Sequence, residues 1–178
     1  MIVILDNIRS LHNVGSKMIV ILDNIRSLHN VGSIFRTADA VGVEKLYLCG
    51  ITPSPLDRLG VVRGDVAKVS LGSENTVPYE VVASTSRLIT NLKKQGYKIV
   101  ALEQSPSSVS YYSLPPKTYP LNKLVLILGA EVEGVSSAVL KKCDAIIDIP
   151  MSGKKESLNV SVAFGIAAYG LRYSRHDS

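Results

Sequence analysis

Residues 124–136 read Leu-Val-Leu-Ile-Leu-Gly-Ala-Glu-Val-Glu-Gly-Val-Ser. Five apolar residues end at Gly129, and Glu131, Glu133 and Gly134 precede the next apolar stretch. A continuous apolar run this short, closed by glycine, predicts a strand buried on both faces, here 124–129. The same signature recurs at 18–23 (MIVILD), 45–51 (KLYLCGI), 97–103 (YKIVALE) and 145–150 (AIIDIP). Between these runs the spacing predicts helices over 34–43, 79–95, 135–142 and 157–173. Proline- and glycine-rich stretches at 52–64 and 105–120 read as loops. Strands alternating with helices predict an α/β fold, a parallel sheet flanked by helices on both faces. In such sheets ligands sit beyond the carboxyl ends of the strands, so the residues just after each strand matter most.

The loop after 124–128 spaces Gly129 and Gly134 as a phosphate-binding loop would. Val135, however, stands where that loop needs lysine, and Glu131 and Glu133 would repel a triphosphate. No G-x-G-x-x-G fingerprint occurs in the chain. What remains is a strand, a glycine allowing close backbone approach, an acidic loop and a helix.

Two other strand ends are informative. Residues 24–36, NIRSLHNVGSIFR, follow the first strand of the body. Ser27 to Ser33 is polar and holds Gly32, so it reads as a loop, with Asn30 and Ser33 as helix caps. Arg26 and Arg36 are harder to explain as caps, and a guanidinium at a strand-end crevice suits phosphate. Residues 149–163, IPMSGKKESLNVSVA, carry Ser157 as a cap and place Asn159 and Ser161 inside a helix rich in alanine and glycine. Polar groups on a buried helix need partners, and the small residues suit close packing on another backbone.

The chain begins with a duplication. Residues 1–16, MIVILDNIRSLHNVGS, repeat letter for letter at 18–33, with Lys17 between. Two copies do not make a solenoid. The reading is a duplicated segment, 1–17, before a body at 18–178. Arg36 has Ile19 as its counterpart in the first copy, so chemistry that needs the arginine exists once.

Of 178 residues, 46% are hydrophobic and 20% charged, which excludes a disordered chain. The net charge is +5 and the pI about 9.2, which permits a polyanionic partner. No apolar run approaches the roughly 18 residues that span a bilayer. Cys49 and Cys143 are far apart, and MIVIL followed by Asp6 is no export signal, so the expectation is a cytoplasmic protein with reduced thiols. No cysteine and histidine cluster has metal spacing, and no metal is expected.

The three loops taken together resemble the SpoU-type, TrmH-like branch of the SPOUT RNA methyltransferases. Asn30-x-Gly32-x-x-x-Arg36 resembles the first signature of that family, LILGAEVEGVS at 126–136 the second, and IPMSG with SLNVSVA at 149–163 the third. They occur in order, over Met18 to about Tyr173. The resemblance implies a carboxyl-terminal deep trefoil knot, a homodimer, and S-adenosyl-L-methionine held by Leu128, Gly129, Ile149, Met151 and Leu158. It implies methyl transfer to a ribose 2′-hydroxyl of RNA, transfer RNA first and ribosomal RNA next. Arg36, Asn30, Glu131, Ser157 and Asn159 would be the catalytic set, and Arg26, Lys154 and Lys155 RNA contacts. The alternative is an RNA-binding protein of the same fold without catalysis. Tyr111, Tyr112 and Tyr119 are candidates for stacking on bases.

Overall fold

The computed structural model describes residues 17–173. The duplicated segment, apart from Lys17, lies outside the described residues. Seven strands form one sheet in the order β3-β2-β1-β6-β4-β7-β5, and every pairing is parallel. The strands are β1 (Ile19–Asp23), β2 (Lys45–Cys49), β3 (Tyr79–Val82), β4 (Lys98–Leu102), β5 (Val109–Ser110), β6 (Leu124–Leu128) and β7 (Ala145–Asp148). The helices are α1 (Leu28–Val41), α2 (Gly64–Ser70), α3 (Thr85–Lys94), α4 (Ser137–Leu140) and α5 (Val160–Tyr173).

The parallel sheet covered on both faces is the expected architecture. All five residues of β1 and of β6 are buried, because successive side chains enter opposite cores. Val20, Leu22, Leu126 and Leu128 meet Ile34, Phe35, Phe164 and Leu171 of α1 and α5. Ile19, Ile21, Val125 and Ile127 meet Ile89, Leu92 and Val139 of α3 and α4. The last two central strands enter late in the chain. β6 slots between β1 and β4, and β7 between β4 and β5.

Several boundaries differ from the sequence reading. α1 begins at Leu28, not residue 34, because Ser27 is its cap, accepting the Asn30 amide at 3.2 Å. Asn30 and Ser33 are therefore inside the helix, and Gly32 is a packing residue. A Cβ there would press on Val66 and Val69 of α2. The span 79–95 is not one helix: β3 adds to the sheet edge beside β2, and α3 starts only at Thr85 behind its cap Ser84. α5 begins at Val160. Asn159 caps it, its side-chain oxygen accepting the Ser161 amide at 2.9 Å while its carbonyl accepts from Ala163. Ser157 is thus not the cap, and Asn159 is not inside the helix.

Candidate functional site

Strand register sets the floor of the site. Leu22, Leu128 and Leu102 are partners across β1, β6 and β4, and Leu102 pairs with Ile147 of β7. The next residue of each strand is therefore in one row at the carboxyl edge: Asp23, Gly129, Glu103 and Asp148. Three are carboxylates and one is glycine. A cleft of about 370 Å3 opens over this row on the β6, β4 and β7 side.

One wall is the loop after β6. Ala130 and Gly134 pair through two backbone hydrogen bonds of 3.2 and 3.0 Å, making a tight hairpin of residues 131–133. Gly134 has φ +65°, a conformation that glycine adopts without strain. Gly129 admits no side chain, because a Cβ would overlap the backbone of Gly134 and Val135. Glu103 braces the hairpin from the end of β4, its carboxylate accepting the Val135 amide at 2.7 Å and the Gln104 amide at 3.0 Å. Val132 at the tip is 90% exposed.

Glu131 ties this hairpin to the first loop. One carboxylate oxygen accepts from Asn30 Nδ2 at 2.9 Å and from the Ser27 amide at 3.3 Å, and the other accepts from the Arg26 amide at 3.3 Å. These amides lie at the amino end of α1, where negative charge is favoured. Burial alone would raise the Glu131 pKa. The hydrogen bonds, led by that from Asn30, outweigh it and hold the group below the ordinary carboxylate range. Glu133 pairs with the Arg26 guanidinium at 3.1 Å. Asn30 then extends the chain of bonds, its Oδ1 accepting from Asn159 Nδ2 at 3.1 Å. Asn30, Glu131 and Asn159, one from each loop, form one connected network.

The opposite wall is 149–159. Ile149, Met151, Ser157, Leu158 and Asn159 line the cleft, with Leu128 and Gly129 at its base. All five residues expected to hold a cofactor thus come together. Glu103, Glu131, Glu133 and Asp148 also line it, and among the described residues no lysine or arginine does. An acidic cleft with apolar walls and exposed backbone suits a flat heterocycle and a cationic group, and disfavours a phosphate chain.

Other expected residues lie elsewhere. Arg36 sits on α1 six residues beyond Asn30, is exposed, and makes no ion pair among the described residues. It is outside the cleft lining. Arg26 is on the rim, paired with Glu133. Lys154 and Lys155 are exposed on the 149–159 segment. Of the tyrosines, Tyr111 lies against Gly170 of α5 and Tyr119 donates to the Asp144 carbonyl at 3.1 Å, while Tyr112 is exposed. The small residues Ala167, Ala168 and Gly170 are buried within this chain rather than offered to another.

Glu103 and Asp148 were not singled out in the sequence. Glu103 closes KIVALE, but Asp148 stands inside AIIDIP in the sequence, and only the strand register brings the two into one row. Among the described residues no cluster of histidine, cysteine and acids could hold a metal, and no helix is long and apolar enough to cross a membrane.

The sequence profile described as the SpoU rRNA Methylase family matches residues 17–169. The 23S rRNA (guanosine-2′-O-)-methyltransferase RlmB of Neisseria meningitidis is 33% identical over 98% of this chain and 59% of its own length. This chain spans about three-fifths of the curated relatives it matches. Among solved structures, the A. aeolicus TrmH/SpoU tRNA modifying enzyme is 33% identical with a TM-score of 0.74, covering 88% of this chain and 74% of that one. The AdoMet-bound rRNA methyltransferase from Sinorhizobium meliloti is 28% identical with a TM-score of 0.79, covering 95% and 60%.

Proposed function

The chain belongs to the SpoU rRNA Methylase family, and we propose that it transfers a methyl group from S-adenosyl-L-methionine to a ribose 2′-hydroxyl of RNA. The observation that carries the reading is the single network of Asn30, Glu131 and Asn159, which joins the three loops beside an acidic cleft. When bound, S-adenosyl-L-methionine supplies an electrophilic methyl group on a positively charged sulfur. The cleft fits it: carboxylates without a cation tolerate that charge, and Leu128, Ile149, Met151 and Leu158 offer apolar surface to its ring. The relatives' printed activities, on 23S ribosomal RNA and on transfer RNA, support RNA as substrate. Transfer RNA is our first choice and ribosomal RNA the second, in the cytoplasm.

Arg36 is assigned to the hydroxyl. A guanidinium stays protonated in proteins, so it does not act as a literal base. It grips the neighbouring phosphate and stabilises negative charge developing on the attacking oxygen. The proton leaves to phosphate or water. Asn30, Glu131, Ser157 and Asn159 orient the loops and the ribose. Arg26, Lys154 and Lys155 contact the RNA strand.

A homodimer completes this reading. Val162, Ile166, Tyr169 and Tyr173 are exposed and recur at spacings of four, three and four on α5, a single apolar stripe. α5 packs against α1, with Gly165 facing Thr37 beside Arg36, so a dimer through this stripe sets Arg36 near the interface. The late insertion of β6 and β7 between earlier strands fits the carboxyl-terminal trefoil knot. Residues 18–178 form the methyltransferase unit, and removing residues 1–17 leaves transfer unchanged, since the first copy stops before an arginine counterpart.

The test is Arg36→Ala. Methyl transfer falls by about 10²- to 10³-fold, as when one preorganised charge-stabilising donor is removed, while calorimetry finds normal cofactor affinity. Retained transfer removes Arg36 from the mechanism.

A further inference from the structure

A second groove, of about 400 Å3, lies on the other face of the sheet, between α3 and the turn after α4. Ile89, Thr90, Lys93, Lys94 and Lys142 line it. Its charges do not balance. Asp144 is the carboxylate beside it, and both of that group's oxygens are engaged. One pairs with Lys93 Nζ at 2.9 Å and the other accepts the Ile99 amide at 2.8 Å. Lys142 Nζ is held over the groove by the Ser86 carbonyl and the Thr90 hydroxyl, both at 3.4 Å. Neither neutralises its charge. Lys94 makes no ion pair among the described residues, and Arg87 lies on its helical stripe, seven residues earlier.

Lysines near a helix carboxyl end satisfy its dipole, but that needs no groove and no third ammonium from another element. α3 and α4 cover the sheet face opposite α1 and α5. A dimer through α5 therefore leaves this groove open.

We propose that the Lys93, Lys94 and Lys142 groove binds the sugar–phosphate backbone of the RNA substrate, away from the reacting nucleotide. This rests on the RNA methyltransferase reading. Ammonium groups take phosphate as point charges, without sequence readout. The groove thus supplies affinity for a structured RNA arm, while the strand-end cleft and Arg36 choose the target.

The experiment measures binding of bulk transfer RNA and of a ribosomal RNA transcript to the full chain over a series of salt concentrations. Each phosphate neutralised adds about 0.7 to 0.9 to the slope of log affinity against log salt. The Lys93→Gln/Lys94→Gln/Lys142→Gln variant should bind at least tenfold more weakly, with a slope lower by about 2. Cofactor affinity and the transfer rate at saturating RNA should be unchanged. Lys94→Gln alone breaks no contact in the fold and should lower the slope by nearly 1, which guards against a folding defect in the triple variant. Wild-type binding and slope in both variants, with RNA methylation intact, overturns this inference alone. A wild-type chain that binds cofactor but neither RNA overturns the methyltransferase reading as well. Inorganic phosphate bound one to one, with RNA affinity unaffected by the substitutions, assigns the groove to a small anion and also overturns it.

Discussion

The two walls of the cleft are built in different ways. The 130–134 hairpin is tied on three sides: to itself, to Glu103 just after β4, and through Glu131 to the first turn of α1. Across the cleft, no hydrogen bond holds residues 150–158 among the described residues, and the segment meets the network only at Asn159. One wall is a fixed template. The other lacks such ties among the described residues, which suits it to adjust to whatever fills the cleft. The difference places shape selection in the hairpin and adaptation in the 150–158 segment.

Gly129→Ala attacks the fixed wall at its base and should have the largest effect. A Cβ there meets backbone, not a movable side chain. The hairpin must shift, at about 1–3 kcal/mol for overpacking. That corresponds to a fall of about 2–12 °C in Tm for a chain of this size, with cofactor binding lost by calorimetry. Unchanged binding would mean that the hairpin is not the template.

Glu131→Gln should be milder. It keeps one acceptor but turns an amide NH2 toward donors at the start of α1 and removes the favourable charge there. The expected cost is about 1 kcal/mol. Its pH dependence has a definite sign. The folded pKa of Glu131 lies below the ordinary value, so the unfolded chain binds more protons in that window and stability rises with pH through it. The contribution is complete above the ordinary carboxylate pKa and fades as pH falls through the folded value. Thermal melts should therefore separate wild type and variant at neutral pH and converge in acid. A gap that persists in acid contradicts the charge argument.

The free wall predicts the smallest effect. Lys154→Gln/Lys155→Gln should leave Tm within about 1 °C, since both side chains are exposed, and should weaken RNA binding a few-fold in a salt-dependent way. A large loss of stability would show that this wall is tied after all.

Much of this was legible in the sequence, for reasons visible in particular residues. MIVIL and LVLIL announce strands buried on both faces, and two of the three strand-end loops line the cleft, while the first reaches it only through the bonds of Asn30 and Arg26 to the hairpin. β3 was not legible. Its side chains are half-buried or exposed at a sheet edge, so its apolar pattern is weak and only pairing with β2 makes it a strand. The start of α1 was hidden by competing caps. Ser27, Asn30 and Ser33 are all good caps, and Gly32 reads as a loop residue until α2 is seen to pack against it. Glu103 and Asp148 required strand register, since only the pairing of Leu102 with Leu128 and Ile147 puts them in one row. The lysine groove joins residues about fifty positions apart and has no local signature.

The central claim is methyl transfer to a ribose hydroxyl, and its product reports on it directly. The chain is incubated with methyl-labelled S-adenosyl-L-methionine and RNA lacking modifications, and the RNA is then digested to nucleosides. Label is expected in a 2′-O-methylnucleoside at a discrete site, appearing about 10²- to 10³-fold more slowly with Arg36→Ala. Label on a base, or RNA bound without any transfer, would contradict it; the second result would mark an RNA-binding protein that keeps the fold without the chemistry.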